Sequence, residues 1–219
     1  MKKIDELKRL LEVCAEDSSR KEWVRSRSIY ENRKYSKGKS MNKNITNKDS
    51  ANGSFFIPDG VTEIRDGAFE GCFSLKNIVI PDSVTEIGNW AFAGCSNLKK
   101  ITLPESVTEI GKGAFDGCSS LKKITLPESV TKIGNWAFAN CKSLSGITLP
   151  DGMAKIGDHT FSDCWSLKNI FIPESVAEIG IGAFEDCTSL KKVSLPKKVK
   201  LGYNVFYRCH PDLEIVYRD

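Results

Sequence analysis

The chain has 219 residues, 40% hydrophobic and 27% charged, with a formal net charge of +4. These proportions are those of a globular protein with one sizeable core and exclude a low-complexity chain, and no run of about 18 apolar residues is present to cross a membrane. The charge is uneven: residues 1–50 carry 14 Lys and Arg against 8 Asp and Glu, and the rest carries 18 against 20.

The basic excess therefore belongs to an N-terminal arm, expected over residues 1–35. Ile4, Leu7, Leu11 and Cys14 fall at helical spacing, which predicts an amphipathic helix from Lys3 to about Glu16, with a weaker one from about Arg20 to Tyr35. Asp5, Glu6, Lys8 and Arg9 interrupt any apolar core of an export signal, so the expected location is cytoplasmic, or the cell surface if a start lies upstream. The polar stretch 36–53 reads as a flexible linker. The arm would either cap the next domain or bind separately; its basic character gives little support to a nucleic-acid or membrane role.

From residue 54 to 219 the sequence repeats. Cys72, Cys95, Cys118, Cys141, Cys164 and Cys187 are each 23 residues apart, with Cys209 after 22, and Pro58 to Pro196 and Phe69 to Phe184 keep the same step. Seven units of fixed period predict a solenoid in which each unit is a coil stacked on its neighbours. Within one coil, Leu98, Ile101 and Leu103 point inward from a short strand stopped by Pro104. Val107 and Ile110 add to the core before a turn at Gly111, and Ala114, Phe115 and Cys118 complete it, with Gly117 placed for a left-handed conformation. The final coil is one residue shorter from Pro196 to Phe206 and has Asp212 where others have Leu, which predicts a polar or irregular end unit.

The pattern LPxSVTxIGxxAFxxCxxLxxI, as in Leu103–Ile124 and Leu126–Ile147, resembles the leucine-rich repeat of BspA-like bacterial surface proteins, a type also found in treponemal and some protozoan proteins. The resemblance implies an α/β-type repeat solenoid: a curved, right-handed leucine-rich-repeat coil, mostly strands and turns, with a parallel strand face. It also implies binding rather than catalysis, since studied members are mostly adhesins or binding proteins.

Each candidate site also has a packing role. A buried cysteine with its weak S–H donor suits the inward corner that asparagine fills in other leucine-rich repeats; a disulfide is disfavoured by parallel side chains, and a zinc site by the lack of CxxC. His159 and His210 have no partner pattern for catalysis, and no phosphate-binding or dinucleotide glycine loop occurs, so no enzyme activity, cofactor or small-molecule substrate is expected.

The remaining candidate is surface. Lys99, Lys100, Lys122, Lys123 and Lys192 form a basic edge at the strand starts, and the floor beside it holds Thr102, Thr125, Thr148 and Phe171. Across that floor lies an acidic edge running from Asp59 to Glu174, and Ser145–Gly146 breaks the lysine row. This face is read either as solvated repeat surface or as a groove for an acidic protein partner. A second row reads Gly67, Trp90, Gly113, Trp136, His159, Gly182 and Asn204. Its large residues either lie over neighbouring glycines or form an aromatic patch at Trp90, Trp136 and His159. The expected function is a noncatalytic protein-interaction module binding through the strand face. A surface adhesin for host or matrix protein is the alternative, and a nucleic-acid accessory protein is third.

Overall fold

The computed structural model describes residues 54–57 and 59–218; the expected arm, its helices and the linker lie outside the described residues. Each coil of the solenoid contributes a long and a short strand. The long strands are β1 (Ser54–Phe56), β3 (Asn77–Val79), β5 (Lys100–Thr102), β7 (Lys123–Thr125), β9 (Gly146–Thr148), β11 (Asn169–Phe171), β13 (Lys192–Pro196) and β15 (Glu214–Arg218). The short ones are β2 (Glu63–Ile64), β4 (Glu86–Ile87), β6 (Glu109–Ile110), β8 (Lys132–Ile133), β10 (Lys155–Ile156), β12 (Glu178–Ile179) and β14 (Lys200–Leu201). All pairings are parallel, as stacking equivalent coils requires, and no helix occurs among the described residues.

The core is the set of ladders that the period predicts. Leu98, Ile101, Leu103, Val107, Ile110, Ala114, Phe115 and Cys118 are all buried, as are their counterparts in the inner coils except Ile147, which is partly buried. From Phe69 to Phe206 the rings stack with centroids 5.2–5.7 Å apart and planes within 16°. Parallel coils leave identical side chains about one strand spacing apart, so the offset of the stack comes with the repeat. Burial of each such ring contributes roughly 1.5–3 kcal/mol before conformational entropy is subtracted.

The short strands are an addition to the sequence reading, which placed Val107 and Ile110 inward but drew no second ladder. Ile110 pairs with Ile87 and Ile133, so Glu109 and Lys132 are carried outward in register. Gly111 also has a different task from the one expected. It is not in the left-handed region; a Cβ there would stand 2.6 Å from the Asn89 nitrogen of the preceding coil, so close coil approach demands the glycine.

The left-handed turn expected at Gly117 is present with φ 72°, and Asn140, Asp163 and Asp186 adopt it at equivalent positions. The sequence reading missed a second left-handed position. Gly67, Trp90, Gly113, Trp136, His159, Gly182 and Asn204 all have φ between 51° and 64°. The alternation of large and small residues there is set upon a backbone turn that every coil shares.

The last coil departs from the pattern of the others. Leu213, rather than a residue at the Asp212 position, packs partly buried on the core. β15 then pairs with β13 in register from Lys192↔Glu214 to Pro196↔Arg218. Ile215 and Tyr217 occupy the inward ladder positions of Val193 and Leu195, yet they are 37% and 55% exposed.

Candidate functional site

The cysteine ladder is used for structure. From Cys95 to Cys209 each ladder Sγ donates to the carbonyl of the phenylalanine in the preceding coil: Cys95 to Phe69 at 3.1 Å, Cys118 to Phe92 at 3.2 Å and Cys187 to Phe161 at 3.1 Å. Burial pushes the Cys118, Cys141 and Cys164 thiols well above the ordinary range, so they are held as neutral donors. Among the described residues no group of three His, Cys, Asp or Glu side chains is placed to hold a metal ion.

Residues Trp90, Trp136 and His159 are brought together as a packed ridge rather than a free patch. Trp90 is only 7% exposed, and a Cβ on Gly113 would fall 2.1 Å from its six-membered ring. His159 covers Gly182 in the same way, with its ring edge 2.5 Å from where that Cβ would be. Trp136 stacks on His159 at 5.6 Å, and Lys112 Nζ lies 4.5 Å from the Trp136 ring centroid. Trp90 fills glycine space, whereas Trp136 and His159 remain partly accessible.

The long-strand face collects the other candidates. Register aligns Asn77, Lys100, Lys123 and Gly146 in one row and Phe56, Val79 and Thr102, then Thr125 and Thr148, in the next. Lys99, Lys100, Lys122, Lys123, Thr102, Thr125 and Thr148 are all exposed. Phe56 belongs to this floor and was not singled out in the sequence; its signal was its offset of 23 residues from Val79.

Both strand faces mix like and opposite charges: Glu63, Glu86 and Glu109 align across the short strands. On the short-strand face, cations meet acids one coil away: Lys132 binds Glu109 at 2.8 Å and Lys155 binds Glu178 at 2.6 Å. On the long-strand face, Lys99, Lys100, Lys122 and Lys123 have no acidic oxygen within 4.0 Å among the described residues. Lys100 and Lys123 are direct cross-strand neighbours. Like charges so placed repel by about 1 kcal/mol or less in water. Lys192 differs, because Glu214 lies 3.8 Å from it.

The lysine row is interrupted where the solenoid itself changes. The long strands form one sheet from β1 to β9 and another from β11 to β15, and the short strands divide between β8 and β10. Both divisions bound the coil that contains Ser145, Gly146 and Gly152. In other coils a serine hydroxyl pins the coil to its predecessor, as Ser106 does to Val84 O at 2.6 Å and Ser129 to Val107 O at 2.7 Å; Gly152 stands at that position. Beside the division Phe171 is 54% exposed, and the Arg218 guanidinium lies 3.8 Å over its ring. Arg218 is fixed there by Glu174 at 3.0 Å and by donation to the Ile172 carbonyl.

Comparison with known proteins agrees with this geometry. Residues 39–131 and 110–217 match the family described as BspA type leucine rich repeat region, in six copies. The fold is similar to that of a T. pallidum leucine-rich repeat protein, with 38% identity and a TM-score of 0.71 over 74% of this chain and 78% of that one. It is also similar to a leucine rich cell surface protein from Faecalibacterium prausnitzii, with 28% identity and a TM-score of 0.55 over 76% of this chain and 60% of that one. No curated protein matches the chain.

Proposed function

Since the chain belongs to the BspA-type leucine-rich repeat family, we propose that it is a noncatalytic interaction module whose long-strand face docks an acidic protein partner. The observation that carries this reading is that four exposed lysines on two adjacent coils have no acidic partner among the described residues. A repeat that needed charge only for solvation could pair Lys100 and Lys123 with acids across coils, as it pairs Lys132 and Lys155. Instead four ammonium groups are left exposed over two adjacent coils, beside a floor of threonines that leaves room for an extended partner. Carboxylates of a partner would relieve the repulsion within the row and gain ion pairs, with an on-rate that falls as salt screens the approach.

The acidic edge from Asp59 to Glu174 and the ring of Phe171 then bound the groove and set direction along it. The test is capture of proteins by the immobilised full chain, compared with a Lys99→Glu, Lys100→Glu, Lys122→Glu, Lys123→Glu variant of equal thermal stability. The reading expects a captured acidic protein to disappear with the variant and to elute at modest salt; equal capture by both chains contradicts it.

A surface-exposed adhesive role is the second reading. It is favoured by the likeness to the F. prausnitzii cell surface protein. Localisation by surface proteolysis of intact cells separates it from an internal role, and both roles can use the same strand face.

A further inference from the structure

One junction between coils is open on two sides. Elsewhere on the short-strand side equivalent residues exchange backbone bonds from coil to coil: Thr108 N to Thr85 O, Thr131 N to Thr108 O and Ala177 N to Ala154 O, and likewise Gly111 N to Ile87 O, Gly134 N to Ile110 O and Gly180 N to Ile156 O. Among the described residues the two bonds that would continue these rows, from Ala154 to Thr131 and from Gly157 to Ile133, are absent. The backbones also stand apart there. A Cβ on Gly88, Gly111, Gly134, Gly180 or Gly202 would fall 2.5–2.7 Å from a backbone atom of the preceding coil, whereas on Gly157 it would come no closer than 3.2 Å to one. Further round the same junction the long strands β9 and β11 are unpaired as well. Between the two openings the phenylalanine turn stays closed: Trp136 N binds Asp158 O at 3.0 Å, Phe138 N binds Thr160 O at 2.9 Å, and the rings of Phe138 and Phe161 stack at 5.5 Å.

Residues 149–153 carry the chain across this junction and are loosely held. Gly152 stands where Ser106, Ser129 and Ser175 bond the carbonyls of Val84, Val107 and Met153. Met153, with its flexible side chain, replaces the valine of the other inner coils. We propose that the half ending in β9 and the half beginning with β10 rock against each other about this crossing and the phenylalanine turn. Around each coil the order is long strand, crossing, short strand, turn, so a line from crossing to turn leaves the two strand faces on opposite sides. Rotation about that line brings Asn169–Phe171 up to Gly146–Thr148 while it parts Lys155–Ile156 from Lys132–Ile133, and the reverse rotation does the opposite. Each opening has matching rims at the repeat step, yet closing one widens the other, so neither pairing locks the junction. Lys99, Lys100, Lys122 and Lys123 ride on one half, and Phe171 with Arg218 on the other. Given the docking role proposed above, on which this consequence alone rests, a partner that touches both groups would hold one position of the rocker.

Backbone nitrogen relaxation dispersion of the full chain reads motion on the microsecond-to-millisecond scale of hinging units. Expected is exchange at Gly146–Thr148 and Asn169–Phe171 on one face and at Lys132–Ile133 and Lys155–Ile156 on the other, fitted by a single rate, with none at Asn77–Val79, Glu86–Ile87 or Phe138. Gly152→Ser supplies the hydroxyl that the crossing lacks. Its Cβ would meet nothing closer than Thr131 Cγ2 at 3.6 Å, and the backbone there is not left-handed, so the serine fits. This variant is expected to lose the exchange on both faces together. Absence of exchange at the rims, separate rates for the two faces, or exchange that Gly152→Ser leaves unchanged would each overturn the proposal. The Lys99→Glu, Lys100→Glu, Lys122→Glu, Lys123→Glu variant should rock like the wild type, so loss of acid binding and loss of rocking are separate results.

Discussion

Replacing Gly113 with alanine tests whether the ridge of rings is built on glycine space. The added methyl meets two obstacles. At φ 60° an L-residue carries the left-handed penalty of roughly 1–2 kcal/mol. The Cβ would also stand 2.1 Å from two carbons of the Trp90 ring, so the indole must retreat by more than an ångström from a site where it is 7% exposed. Overpacking of that kind costs about 1–3 kcal/mol, which brings the total to about 2–5 kcal/mol. Gly67→Ala is the internal control: its φ of 64° imposes the same backbone penalty, but the nearest atom is the flexible Glu70 carboxylate at 3.1 Å. Its cost should stay near 1–2 kcal/mol. For a chain of this length each kcal/mol lowers the melting temperature by about 2–4 °C, so circular dichroism can separate the two variants. In a Trp90→Gly background Gly113→Ala should cost only the backbone penalty of roughly 1–2 kcal/mol, because the ring no longer occupies the methyl's place. Equal destabilisation by Gly67→Ala and Gly113→Ala would refute the account of ring over glycine.

The cysteine ladder predicts a pH dependence. Folded pKa values of Cys118, Cys141 and Cys164 are raised, so their contribution is fully present below the unfolded thiol value of about 8.5 and is lost as pH climbs from there towards the folded values. Urea midpoints should therefore fall above about pH 8.5, by up to about 1.4 kcal/mol per pH unit for each buried thiol, and Cys118→Ser should lessen the slope. Parallel curves for wild type and Cys118→Ser would contradict this. At the break in the lysine row, a Cβ on Gly146 would meet nothing within 4 Å, and its backbone is not left-handed. Gly146→Lys should thus fold normally, gain roughly 0.5–1 kcal/mol by removing a strand glycine, and tighten binding of an acidic partner; a loss of stability would show that the opening in the sheet is required.

Much of the fold was legible because packing is repeated. Leu98, Phe115 and Cys118 recur at a fixed step, and equivalent residues of stacked coils must meet the same neighbours. Positions where chemistry and backbone interact were harder. The left-handed turn at Gly67, Gly113 and Gly182 was hidden because Trp90, Trp136 and His159 hold the same φ, and side-chain size drew the eye away from the backbone. Gly111 was assigned to a turn because the close approach of Asn89 from the previous coil cannot be seen within one coil. The second strand ladder was missed because each copy is only two residues long.

The candidate surface shows the same division. The lysine row and its interruption at Ser145–Gly146 could be read directly from the period. That Lys132 and Lys155 are neutralised while Lys99, Lys100, Lys122 and Lys123 are not depends on which residues of successive coils share a face, and only the register of β6 with β8 and β10 with β12 supplies it. Arg218 over Phe171 joins residues 47 positions apart in sequence, across two coils, and no local pattern announces it.

The central claim is that the four unpaired lysines of the long-strand face recognise acid. Its most direct measurement is the affinity of the full chain for a fluorescent poly-glutamate peptide, by anisotropy at low and physiological salt, with the Lys99→Glu, Lys100→Glu, Lys122→Glu, Lys123→Glu variant and a Lys132→Glu, Lys155→Glu variant alongside. The account predicts salt-sensitive binding that the four-lysine variant abolishes and the short-strand variant largely keeps. Equal losses in the two variants, or none in either, would contradict it.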